Sequence, residues 1–122
     1  MDQQLLDLIK RSVGSVWALE LLLVLKSSGQ AWSEQDLITE LRSSQLVVSQ
    51  SLAGLAAGGL IETGPKGARY HPADEETAQL VDRLELEYRN RPDAVRRAIV
   101  APADDKLKSF SDAFLWGKRK DD

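Results

Sequence analysis

Apolar residues recur at helical spacing from the start of the chain. Leu5, Leu6, Leu8 and Ile9 predict a short amphipathic helix interrupted near Gly14. Ser15 then offers its hydroxyl to the open N–H groups of a new first turn. From there "SVWALELLLVLKSSG" runs to a Ser-Ser-Gly stop. Apolar side chains cover most of the circumference of this second helix, which predicts burial on more than one side. "WSEQDLITELRSS" restarts with Ser33 as cap, Asp36 where a capping-box acid would reach back, and Leu37, Ile38 and Leu41 as a narrow apolar face. A short polar turn follows Arg42, and Ser44 is positioned to cap the next helix. Two short helices joined this way make a helix-turn-helix.

On the helix after Ser44, the apolar residues Val48, Leu52 and Leu55 fall on one face. Gln45, Ser49, Gln50 and Ala53 then fall on the opposite one. Gly58-Gly59 predicts the stop, because glycine tolerates the left-handed backbone beyond a last turn. "LIET" and "ARYH" around "GPKG" read as two short strands joined by a turn, with Lys66 at the tip and Arg69 on the returning strand. Beyond Pro72 the pattern is helical again. Asp74 is the expected cap of a helix carrying Leu80, Leu84 and Tyr88, which Pro92 breaks, and Val95 and Ile99 share one side of a shorter helix after it. "DDKLKSFSDAFLWGKRK" predicts a last amphipathic helix with Leu107, Phe110, Phe114 and Leu115 in a stripe. Its acidic start and basic end suit the helix dipole.

The 122 residues suit one core, and 43% apolar with 29% charged residues is the ordinary mixture of a soluble domain. The organisation expected is an N-terminal helix over 1–14, a central unit over 15–72 and a helical extension over 73–122. Cysteine is absent, so no disulfide, thiolate nucleophile or cysteine-ligated zinc can form. The acidic N-terminus does not resemble a signal peptide. The longest apolar run, Leu21 to Leu25, is far too short to cross a bilayer. A cytoplasmic protein without membrane attachment is expected. His71 stands alone, with no partner at metal-ligand spacing. "GLIETGPKG" has Pro65 where a phosphate loop needs lysine, and no Ser or Thr follows Lys66. The residue inventory therefore supports neither an enzyme nor a metal or other cofactor.

From about residue 15 to 72 the chain resembles the winged helix-turn-helix transcription regulators, MarR-like and PadR-like proteins among them. The helix of those families commonly reads T-V-S-R-x-L-x-x-L-E-x-x-G-L-I before the wing. Val47 to Ile61 aligns with it without a gap and keeps Val48, Ser49, Leu52, Leu55, Gly59, Leu60 and Ile61. The resemblance implies a mainly helical fold with a small β-hairpin wing, flanked by N- and C-terminal helices. It also implies a homodimer on double-stranded DNA. Gln45, Ser49 and Gln50 would face bases, Arg42 and Ser44 would lie at the turn, and Lys66 and Arg69 would lie on the wing. Leu5, Leu6, Ile9, Leu107, Phe110 and Phe114 would join the two copies.

Charge is where the chain departs from the family. Net charge is −3. Gln50 replaces the frequent Arg, and Ala53-Gly54 replaces a basic pair, so phosphate contacts that dominate DNA affinity are missing from this helix. Gln still matches an adenine edge with two hydrogen bonds. Weak DNA binding follows, with Arg42, Lys66 and Arg69 as its main cations. Arg89, Arg91, Arg96 and Arg97 lie among carboxylates and are expected to form solvated ion pairs. The small-residue run Ala53, Gly54, Ala56, Ala57 and Gly58 reads as tight packing against the preceding helix. The same run also fits a second function, a docking face for a protein partner with little DNA binding.

Overall fold

The computed structural model describes residues 2–100. It is mainly helical with one small antiparallel hairpin. The order is α1 (Gln3–Ser12), α2 (Val16–Ser28), α3 (Glu34–Leu41), α4 (Gln45–Ala57), β1 (Ile61–Gly64), β2 (Gly67–Tyr70) and α5 (Glu75–Asn90). A further helix, α6, follows at 92–100.

Local chemistry sets the boundaries. Asp2, Ser15, Ser33, Ser44 and Asp74 each accept a hydrogen bond from a backbone N–H in the first turn of α1 to α5 respectively. Each satisfies one donor that the helix itself cannot. Only half of the capping box on α3 is made. Asp36 donates its N–H to Ser33 Oγ at 3.0 Å, while its carboxylate, one methylene shorter than that of Glu, returns no bond among the described residues. Gly29 ends α2 in the left-handed conformation at φ 67°. Gly59, at φ 77°, plays that part after α4, whereas Gly58 stays right-handed at φ −81°. The hairpin is tighter than its sequence suggests. Gly64 pairs with Gly67, leaving Pro65 and Lys66 alone as the turn. Trp32 adds a one-residue bridge to Ala68, each N–H donating to the other's carbonyl at 2.8 Å.

One hydrophobic cluster runs from Leu5 to Ile99 and takes in residues from every helix and from the hairpin. The leucine-rich α2 lies at its centre, with Leu19, Leu21, Leu22 and Leu25 all fully buried. Each such side chain contributes about 1.5–3 kcal/mol of burial relative to exposure. Polar ties fasten α5 across it. Lys26 Nζ donates to Glu85 at 2.7 Å and lies 3.1 Å from Asp82. The hydrogen bond to Glu85, outweighing the opposing effect of burial, raises the Lys26 pKa above 10.5. Tyr88 donates its hydroxyl to Glu20 at 2.5 Å, and Arg83 pairs with Asp2.

The terminal segments depart from expectation. The sequence assigns Leu5, Leu6 and Ile9 to a contact between two copies. The structure corrects this for Leu5 and Ile9, which are 4% and 1% exposed within their own chain. Because α1 packs on α4 and α5, its apolar face is already covered. Leu6 is half-buried. Leu107, Phe110 and Phe114 lie outside the described residues, as does the whole of the predicted last helix.

Candidate functional site

Helix α4 is placed by a short strained turn. Arg42 closes α3 in the left-handed region at φ 53°, donating its N–H to the carbonyls of Ile38 and Thr39. Such a conformation costs a non-glycine residue about 1–2 kcal/mol. Ser44 Oγ then accepts from Val47 N–H at 3.1 Å and starts α4. At about 100° per residue, the buried side carries Val48, Ser51, Leu52 and Leu55. The open stripe opposite is made of Leu46, Gln50, Ala53 and Ala57, with Gln45 and Ser49 along one edge, and all six are exposed. Gln45, Ser49, Gln50 and Ala53 therefore lie where the periodicity puts them. Leu46 is the residue that sequence reasoning missed. It is 65% exposed and lies two positions from buried Val48, which sends it to the far side of the helix. The same periodicity contained that signal.

The two flanks of this stripe differ in charge. On the α3 side, Ser49 donates its hydroxyl to Glu34 at 3.1 Å, so a carboxylate sits beside the stripe. On the α1 side, Gly54 and Gly58 lie under Ser12. A methyl group at Gly58 would overlap the Ser12 side chain, and one at Gly54 would stand 3.4 Å from the Ser12 carbonyl. The small-residue run thus divides. Its glycines accommodate α1 and not the preceding helix, and only Ala53 and Ala57 remain open for anything else.

Beyond Gly54 the α1 flank carries Lys10 and Arg11. Together with Ser15, Trp17, Val47 and Gln50 they line a cavity of about 370 Å³. These two cations sit about forty positions before Gln50 in the chain, and no local pattern connects them to α4.

The hairpin brings Lys66 and Arg69 to one end of the domain. Lys66 is exposed in the turn. Arg69 faces Glu62 across the strands and grips its carboxylate, with Nη2 at 2.5 Å and Nε at 3.2 Å. That bond, followed by the field of His71, lowers the Glu62 pKa below its usual value. Arg69, placed on phosphate by the resemblance, thus has a carboxylate neighbour that partly matches its charge, in a pair that is about half exposed. Of the four arginines near Pro92, three form the expected ion pairs, Arg89 with Glu85, Arg91 with Glu87 and Arg96 with Asp93, and Arg97 does not among the described residues. Among the described residues, Lys10, Arg11, Arg42, Lys66 and Arg97 have no carboxylate partner.

Among the described residues, no three His, Cys, Asp or Glu side chains are grouped to hold a metal ion. No helix there is long and apolar enough to cross a membrane. His71 is exposed after β2, and its backbone N–H bonds to Leu60. No protein-family model, curated protein or solved structure matches the chain.

Proposed function

We propose that the protein is a winged helix-turn-helix regulator of transcription that acts in the cytoplasm as a homodimer on DNA. In this reading α3 and α4 form the helix-turn-helix, α4 enters the major groove, and the β1–β2 hairpin is the wing. One observation carries it. The first half of α4 leaves Gln45, Leu46, Ser49 and Gln50 in solvent, although the opposite side of the helix is part of the core. Those side chains suit base edges: glutamine for adenine, serine for either donor or acceptor, and Leu46 for a thymine methyl. With Leu5 and Ile9 inside the monomer, the two copies would meet through other residues.

Selection of bound sequences from a random duplex library tests this reading, followed by anisotropy titrations with Gln45→Ala and Gln50→Ala. Wild type should enrich one motif. Each variant should lose about 1–3 kcal/mol of discrimination at a single base position. Enrichment of no motif at moderate salt would remove the regulator reading.

A second reading is favoured by the apolar centre of the same stripe. Leu46, Ala53 and Ala57 form an uncharged exposed strip, and such a surface also suits a protein partner. Under that reading affinity purification returns a stable protein partner that Leu46→Asp releases, and no sequence-selective DNA.

A further inference from the structure

The positive charge absent from α4 stands beside it. Lys10 and Arg11 occupy the last turn of α1, exposed and without a carboxylate partner among the described residues. Six other basic residues, from Lys26 to Arg96, are held in ion pairs. Arg11 is also steadied, because its Nε donates to the Asp7 carbonyl at 3.3 Å.

The cavity that these cations line lies between the end of α1, the start of α2 and the open edge of α4. Helix α2 begins there. Its Ser15 cap takes the Ala18 N–H at 3.1 Å, while the first N–H groups of that turn have no partner within the helix. An anion placed there meets two cations and the positive end of a helix dipole. Ser51, 8% exposed, also lines the cavity. Trp17, 44% exposed, forms one wall. On the opposite flank of α4, Glu34 repels a phosphate. The stripe therefore has one edge that attracts a polyanion and one that does not.

We infer that Lys10, Arg11 and the start of α2 form the docking site for a phosphodiester of the DNA backbone, beside the bases that Gln50 contacts. The site rests on the regulator reading and supplies the phosphate anchor that α4 lacks. It also orients the duplex, with one backbone drawn to the α1 edge of the stripe.

The test is anisotropy on the full-length protein with the selected duplex, from 50 to 200 mM salt, comparing wild type, Lys10→Ala/Arg11→Ala and Arg89→Ala. Each phosphate contact contributes about 0.9 to the slope of log K against log salt. The double variant should therefore bind more weakly and lose roughly two from the slope. Its affinity deficit should shrink about tenfold across that salt range. Arg89→Ala, whose cation is already paired, should match wild type. Thermal melting should show the double variant folded, since both side chains are exposed. If wild type selects DNA and the double variant keeps its affinity and slope, the phosphate site is overturned and the regulator reading survives. If wild type retains no DNA at moderate salt, both fall together. A third arm titrates inorganic phosphate against chloride of equal ionic strength. Saturable binding of free phosphate that leaves DNA affinity untouched would make the cavity a small-anion site and overturn the DNA assignment.

Discussion

Gly67 shows how one residue fixes the hairpin. Its φ of 114° lies where L side chains are rarely found, and a methyl group there would overlap the Trp32 carbonyl. That contact is part of the Trp32–Ala68 bridge, which ties the hairpin to the start of α3. Gly67→Ala should therefore cost about 1–3 kcal/mol from backbone strain alone, with the lost bridge in addition. Its register partner Gly64 has open space around it and no positive φ, so Gly64→Ala should stay within about 0.5 kcal/mol of wild type. Urea unfolding of the two variants checks the contrast. Equal destabilisation would show that glycine serves the turn in general and not the approach to Trp32. Ser12 is a different kind of case. Its hydroxyl is buried against Gly58 with no hydrogen-bond partner, and an unsatisfied group of this kind costs about 1–3 kcal/mol. It is tolerated because the short side chain lets α1 and α4 come close.

Among the elements, α1 is the one whose role changes most. Its apolar face could have met a second copy or the chain's own core, and nothing in ten residues of amphipathic sequence distinguishes those outcomes. With Leu8 and Ile9 each 1% exposed, Ile9→Ala should destabilise the protein by about 2–5 kcal/mol. The deficit relative to wild type should be the same at low and high protein concentration, whereas it would change with concentration if the residue held a dimer together. Unfolding at two concentrations a hundredfold apart decides it. The caps were legible because a cap is local: Ser15, Ser33, Ser44 and Asp74 each bond to an N–H three residues on. The approach of Lys10 and Arg11 to Gln50 was not legible, since it follows from how α1 crosses α4. The cap on α5 also gives a pH signature. The Asp74 pKa is lowered from 3.8, first by hydrogen bonding to the Thr77 side chain and then to its backbone N–H. A depressed carboxylate pKa stabilises the fold above the unfolded value and loses that contribution as pH falls through the folded one. Asp74→Asn keeps the cap without the titration. The stability margin of wild type over this variant should therefore shrink as pH drops below 3.8. A constant margin from pH 6 to pH 3 would remove the charge from the account of this cap.

At the scale of the whole molecule, a net charge of −3 repels DNA at long range, so any binding must come from how the cations are arranged. Six described cations are matched by carboxylates and add little, because exposed pairs present nearly neutral surface. Of the five left without a carboxylate partner among the described residues, Arg97 lies on α6, while Lys10 and Arg11 stand beside the open stripe, Arg42 in the turn before α4 and Lys66 at the hairpin tip. Four contacts at about 0.9 each predict a salt slope near −3.6 per bound copy. That is shallow for a DNA-binding protein, and it assigns most of the selectivity to Gln45, Ser49 and Gln50. Affinity for the selected duplex should accordingly fall less steeply with salt than a strongly basic regulator's would, while preference over a random duplex persists. A titration series over salt, run on both duplexes, checks this. A slope well beyond −4, equal for both, would mean that other cations hold the backbone and that the exposed face of α4 is not what chooses the site.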